Sequence, residues 1–205
     1  MGLTAEQLRH SLDALAAIEP RFAAAIAEAG YPEPRIRARG YETLLRTIVG
    51  QQISALAAEA VWKKVAAAVG AIGDPQAMVA TSEETLRAAG LSRQKIGYVK
   101  SLAELVADGA LDLANLPEDD EEAIAALVQV KGIGRWSAEV YLLFAEGRLD
   151  IWPAGDLAVQ EDVGRILGHD TRPGEKLVRE VAESWRPHRG AAAIFAWHHY
   201  KIKPI

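Results

Sequence analysis

The chain has 205 residues, half of them hydrophobic and a quarter charged, with a formal net charge of −5. That is the balance of an ordinary globular protein of one domain or two lobes. It contains no cysteine, which excludes disulfides, cysteine-held zinc and a thiolate-bound iron–sulfur cluster.

Helical signals follow one another along the chain. Thr4 and Gln7 have capping-box spacing, and Leu8, Leu12 and Leu15 recur at helical intervals behind them. Leu44, Leu45, Ile48 and Val49 mark a helix starting near Gly40. Gly70 to Pro75 is a break, and Thr81-Ser82-Glu83-Glu84 repeats the capping-box spacing. A second break at Gly90-Leu91 leads to a Ser92 cap, after which Ile96, Val99, Leu102 and Leu105 are helically spaced. An acidic helix start is expected at Glu118 after Pro117, where negative charge suits the helix dipole. No segment alternates apolar and polar residues long enough for a strand, so the chain is expected to be all-α. No apolar run reaches the length of a bilayer span and Met1-Gly2-Leu3-Thr4 opens no signal peptide, so a cytoplasmic protein is expected.

The richest stretch is Leu127-Val128-Gln129-Val130-Lys131-Gly132-Ile133-Gly134-Arg135-Trp136, a two-glycine turn between helical patterns. Gly132 and Gly134 sit where the chain must reverse, a place that often needs positive φ. Without side chains there, backbone N–H groups can approach a phosphate oxygen, with Lys131 and Arg135 adding charge. A ligand-free turn between helices is the plain alternative. Asp156 follows in Trp152-Pro153-Ala154-Gly155-Asp156-Leu157, ahead of a helix marked by Val159, Val163 and Leu167. Capping that helix would be a sufficient role for it. The overall acidity runs against nucleic-acid binding, but bases gather in Arg93 to Lys95, Lys131 to Arg135 and Arg186 to Arg189. Ser92, Arg93 and Lys95 make either a second phosphate contact or an exposed charged cap.

Four segments in this order, Ile48-Val49-Gly50-Gln51-Gln52-Ile53-Ser54, Gly90-Leu91-Ser92-Arg93-Gln94-Lys95, the hairpin, and Pro153-Ala154-Gly155-Asp156-Leu157, carry a resemblance. As a set they resemble the helix-hairpin-helix DNA glycosylase superfamily, and within it the DNA-3-methyladenine glycosylase II family. The resemblance implies a single helix-hairpin-helix glycosylase domain over residues 1–205. One lobe would run from about 40 to 145 and the other would combine about 1–35 with 150–205, flanking a cleft.

The same resemblance makes Asp156 the catalytic carboxylate, with Asp150 and Asp162 as nearby rivals. An ionised carboxylate stabilises the positive charge that builds on deoxyribose as an N-glycosidic bond breaks. Gln52 matches the residue that fills the gap left by an extruded base, against a plain reading as a helix-end glutamine. Trp136 and Trp197 match pocket aromatics, Val140 stands where an aromatic is common, and His198 follows Trp197; core packing is the plain reading for each tryptophan. Trp62, Trp152 and Trp185 are expected in the core. Relatives that also cut the backbone carry a lysine where this chain has Trp136, so no lyase activity is expected.

DNA contacts are expected from Ser92, Arg93, Lys95, Lys131, Gly132, Ile133, Gly134 and Arg135. Main-chain carbonyls of Val128, Val130 and Ile133 are implied to hold a Na+ or K+ ion beside a DNA phosphate. No cofactor is expected for catalysis, and the five histidines show no metal-ligand spacing. The partner implied is double-stranded DNA with alkylated bases, met by a monomer in the cytoplasm and associated with the nucleoid. A non-enzymatic binder of damaged or branched DNA, and a glycosylase for oxidised, mismatched or deaminated bases, remain as alternatives.

Overall fold

The computed structural model of the protein describes residues 2–202, and among them all regular structure is helical. In chain order the elements are α1 (Ala5–Ile18), α2 (Pro20–Ala29), α3 (Tyr41–Gly50), α4 (Ala55–Val69), α5 (Pro75–Ala80), α6 (Glu83–Ala88) and α7 (Arg93–Ala107). They continue with α8 (Asp120–Leu127), α9 (Arg135–Tyr141), α10 (Leu157–Leu167), α11 (Glu175–Ala182) and α12 (Arg189–Ile202). A π-helical turn over Leu142–Glu146 prolongs α9, and a 3-10 turn over Glu183–Trp185 follows α11. The all-α expectation holds because the apolar residues recur at helical spacing and the caps stand where the periodicity begins.

The caps show how closely local chemistry sets the boundaries. Thr4 and Gln7 form a reciprocal capping box at α1, and Ser92 Oγ accepts from Lys95 N at 3.3 Å at α7. Two starts fall later than the sequence suggests. Before α6 the cap is Ser82, whose Oγ accepts from Thr85 N at 3.1 Å, because the Thr81 hydroxyl donates back to Ala77 O and closes α5. The acidic helix begins at Asp120 rather than Glu118, since Asp119 takes the amides of both Glu121 and Glu122 at 2.9 Å.

The described residues form two compact units. The inner one, Ala38–Ala138, holds α3 to α8 and the first turn of α9. Its core includes the packing of α3 and α5 on α7, with Leu44, Leu45 and Ile48 of α3 and Ile96, Val99 and Leu102 of α7 all buried. Each such side chain contributes roughly 1.5–3 kcal/mol on burial. Trp62 is buried in this unit with the Arg46 guanidinium over its ring.

The terminal unit takes the residues up to Arg37 and those from Glu139. Its centre is α12, where Ala191, Ala192, Ala193 and Ala196 are fully buried and their small side chains admit α1, α2 and α10 at close range. Gly190 opens this face: an added Cβ would lie 2.6 Å from Leu149 O. Beside α12 an aromatic cluster joins Trp185 to Phe22 (5.1 Å, edge-on) and to Trp152 (5.6 Å, edge-on). Trp152 and Trp185 are therefore core residues, and Trp152 Nε1 donates to Val178 O at 3.1 Å, which fixes the chain just ahead of Asp156.

Candidate functional site

In the inner unit, the loop between α8 and α9 is anchored by apolar side chains and open along part of its backbone. Val130 and Ile133 are buried, whereas Lys131, Gly132 and Gly134 face solvent. Ile133 N donates to Val130 O at 3.0 Å and Lys131 N to Ser101 Oγ at 3.2 Å, so both amides are committed within the protein. The amides of Gly132 and Gly134 donate to nothing among the described residues. Gly132 has φ +84°, and a Cβ there would overlap the Tyr98 ring. Gly134 has no such constraint, its φ not being positive and its surroundings open. The reversal thus needs left-handed backbone only at Gly132, while Gly134 leaves main chain uncovered.

Gln51 Nε2 donates to Gly132 O at 2.9 Å and ties this loop to the turn after α3. In that turn Gln52 is exposed and has φ +57°, the one non-glycine residue in the left-handed region among those described. Such a conformation costs about 1–3 kcal/mol, and strained residues of this kind concentrate at functional sites.

In the terminal unit, Asp156 caps α10. Its Oδ1 accepts from Ala158 N at 2.9 Å and Val159 N at 3.0 Å, the capping role foreseen for it. The same oxygen also accepts from Trp197 Nε1, 3.1 Å away on α12. A cap requires no third donor, and a side chain brought from another helix marks this carboxylate as a placed group. Its neighbours are otherwise engaged. Asp150 is held by Arg189 at 2.8 Å and Arg186 at 2.5 Å, and Asp162 is fully buried against His199. Half-buried Asp156, by contrast, accepts from two N–H groups of its own helix start and from an indole.

Trp197 stacks on Phe144, ring centres 5.6 Å apart and planes at 29°. With Pro32, Glu33, Arg35, Ile194 and His198 they line a recess of about 120 Å³. Asp156 thus touches the edge of an aromatic wall.

A family model described as HhH-GPD superfamily base excision DNA repair protein matches residues 45–187, a span that takes in the hairpin, Gln52 and Asp156. The chain belongs to this superfamily. It is 32% identical over 173 residues to DNA-3-methyladenine glycosylase 1 of Schizosaccharomyces pombe, covering 80% of this chain and 76% of that one. A solved structure of DNA-3-methyladenine glycosidase from Bacillus halodurans superposes with a TM-score of 0.85 at 32% identity, over 91% of this chain and 87% of the other. That of the S. pombe 3-methyladenine DNA glycosylase Mag1, in complex with abasic DNA, gives a TM-score of 0.78 at 27% identity, over 94% and 97%.

Within this HhH-GPD chain the remaining site residues fall into groups. Trp136 stands on the first turn of α9, 48% exposed, and Val140 follows one turn on along the same face, half-buried. His198 lines the recess, but its Nε2 is 3.0 Å from Ala29 O, so part of its role is to tie α12 to the end of α2. Arg93 and Lys131 are exposed, and their side chains make no hydrogen bond or ion pair among the described residues. Three expected DNA contacts are otherwise occupied. Lys95 Nζ donates to Val49 O at 2.8 Å and caps the end of α3, its pKa lowered by burial. Arg135 forms a two-pronged pair with Glu121 at 2.5 and 2.8 Å. Ile133 is an anchor with its amide committed. The basic cluster at Arg186 and Arg189 is neutralised by Asp150 and Glu183.

Phe144, Gln51 and His199 escaped the sequence reading. Phe144 sits in the π-helical turn, off any regular helical spacing. Gln51 sits inside a recognised motif whose spacing singles out its neighbour, and its partner is 81 residues away.

Proposed function

We propose that the protein is a monofunctional DNA glycosylase of base excision repair, which extrudes an alkylated base from duplex DNA and hydrolyses its N-glycosidic bond to leave an abasic site. The observation that carries this reading is the Asp156 carboxylate, held by three N–H donors and one of them an indole, in a chain of the HhH-GPD superfamily. The names of the relatives support 3-methyladenine as a substrate, and the same chemistry extends the proposal to other cationic alkylated purines such as 7-methylguanine.

The chemistry follows from the charge. As the bond between C1′ and the base nitrogen lengthens, the electron pair leaves with the base and the sugar becomes cationic. Asp156 offsets that charge and orients the water whose oxygen bonds C1′. The water's second proton is released to solvent, and a base that entered as a cation departs neutral. The faces of Trp197 and Trp136 favour a cationic base by about 0.5–2 kcal/mol. Position 136 has no amine, so no Schiff base forms and the sugar–phosphate backbone stays intact.

Binding is divided among other residues. The amides of Gly132 and Gly134 take a DNA phosphate, with Ser92, Arg93 and Lys131 beside it. Gln52, set apart by its left-handed backbone, fills the gap in the stack. A monovalent cation suits the carbonyls of Val128, Val130 and Ile133: the donors are neutral, and Val130 O keeps a lone pair beyond the one that accepts from Ile133 N. Such an ion would add positive charge that favours phosphate binding and would take no part in bond cleavage. The enzyme would act as a monomer on chromosomal DNA; among the described residues no helix is long and apolar enough to cross a membrane.

The test is a release assay on duplexes carrying 3-methyladenine, 7-methylguanine, 1-methyladenine, hypoxanthine, uracil or 8-oxoguanine, with the freed base identified by chromatography and borohydride added in parallel. Release of alkylated bases with no trapped complex is expected. Release of none of them, or a covalent adduct under borohydride, would overturn the proposal.

A further inference from the structure

The chemistry above leaves unused the most deeply buried charged group of the terminal unit. Asp162 on α10 is fully buried and His199 on α12 is 3% exposed. His199 Nδ1 lies 3.0 and 3.1 Å from the two Asp162 oxygens, and its ring stacks on Phe195 at 12°. His199 Nε2 has no hydrogen-bond partner among the described residues, with Glu28 Oε2 3.9 Å away. Arg165 Nη1 stands 3.7 Å from Asp162. Burial pushes the Asp162 carboxyl above its ordinary range, against the pull of His199.

Stability is a poor explanation for such a pair. Removing two polar groups from water costs about as much as their attraction returns, and well-packed apolar replacements are often at least as stable. What the pair does provide is geometry. Asp162 lies six residues beyond Asp156 on the same helix, and His199 two residues beyond Trp197. Side chains two apart on a helix leave it on nearly opposite flanks, and six residues advance it by about 9 Å. Trp197 to Asp156 and His199 to Asp162 are therefore two separate bonds from α12 to α10, on different flanks of α12 and at different heights along α10. Rotation or sliding of α12 that kept one would lengthen the other.

We propose that the Asp162–His199 pair is a positioning device, which fixes α12 against α10 so that Trp197 Nε1 stays on Asp156 Oδ1. Asp162 and His199 touch no substrate and act through Trp197. The inference rests on the reading of Asp156 as the reacting carboxylate, and its test separates the two.

Single-turnover base release is measured at saturating enzyme for Asp162→Ala, Asp162→Asn, and Asp162→Ala combined with Trp197→Phe. Asp162→Ala should slow release about 10- to 100-fold, the effect of a small misplacement, with substrate affinity little changed. Asp162→Asn, which still accepts from Nδ1–H, should keep most of the rate. In the Trp197→Phe background the Asp162→Ala loss should shrink to about twofold, because the bond it protects is already gone. Equal losses in both backgrounds would overturn the proposal. The apolar double variant Asp162→Leu/His199→Phe guards against misfolding: it should match or exceed the native Tm and still release base slowly, and a native rate would refute the proposal.

A second readout is independent of activity. The indole N–H resonance of Trp197, assigned by its loss in Trp197→Phe, should shift and exchange faster in Asp162→Ala and hold its place in Asp162→Asn. An unmoved resonance in Asp162→Ala refutes the pin even if Asp156 proves catalytic. A shifted one sustains it even if Asp156→Asn retains full activity.

Discussion

Gly132→Ala isolates the part of the hairpin that only glycine can serve. At φ +84° an alanine carries a left-handed cost of about 1–2 kcal/mol. Its Cβ would also fall within 2.5 Å of Tyr98 ring carbons, and relieving that overlap in a packed site costs roughly 1–3 kcal/mol more. The sum is about 2–5 kcal/mol, which for a chain of this size lowers Tm by something like 4–20 °C. Gly134→Ala is the matched control, because nothing lies within 4 Å of its added Cβ and its φ is not positive. Urea unfolding reads stability, and fluorescence anisotropy with a duplex bearing an abasic-site analogue reads binding. Gly132→Ala should lose both; Gly134→Ala should stay near native stability and weaken binding. Combining Gly132→Ala with Tyr98→Ala should restore the overlap portion and not the left-handed portion. Equal destabilisation by the two single alanines would refute the reasoning.

Further outcomes follow from the same geometry. Gln52→Gly should stabilise the chain by about 1 kcal/mol, by removing left-handed strain, while weakening binding to abasic-analogue duplex more than to single strand; equal losses on both strands would argue against a wedge. Tyr41→Phe should raise stability by about 1 kcal/mol, since the Tyr41 hydroxyl is buried without a hydrogen-bond partner among the described residues, and a drop in Tm would show a partner this reasoning lacks. In acid, Glu19 and Glu183 work together: hydrogen bonds from Arg21 and Arg186 hold their folded pKa values below the ordinary carboxylate range. Their contribution is present above about pH 4.5 and is lost as pH falls through the lowered values. Asp162 works in the opposite sense, its raised pKa making the folded state relatively less costly as pH falls. Urea unfolding from pH 6 to 3 should show stability falling below pH 4; a rise there would mean that Asp162 outweighs the surface carboxylates.

The sequence was most informative where function depends on chain-local features. A cap, a glycine reversal and a carboxylate at a helix start are set by neighbours a few residues apart, so Thr4, Ser92, Gly132 and Asp156 could be read directly. Boundaries shifted where two elements compete for one residue, as with Thr81, which closes α5 before it can open α6. Charge was the least legible property. Lys95, Arg135, Arg186 and Arg189 read as a basic face, yet each is turned to a carbonyl or a carboxylate whose position depends on packing. The same holds for Phe144 and Gln51, whose partners come from distant parts of the chain. The order of motifs is legible in the family resemblance, whereas the third donor on Asp156 comes from α12, 41 residues away, and is visible only in the folded chain.

That carboxylate is where the account is most exposed. Asp156→Asn keeps an oxygen to accept from Ala158 N and Val159 N, so the α10 cap and the fold should survive with a Tm close to native. Removing the negative charge should nevertheless slow single-turnover release of 7-methylguanine by at least about 100-fold, with duplex binding retained. A variant that is folded, binds DNA and frees the base at the native rate would contradict the account.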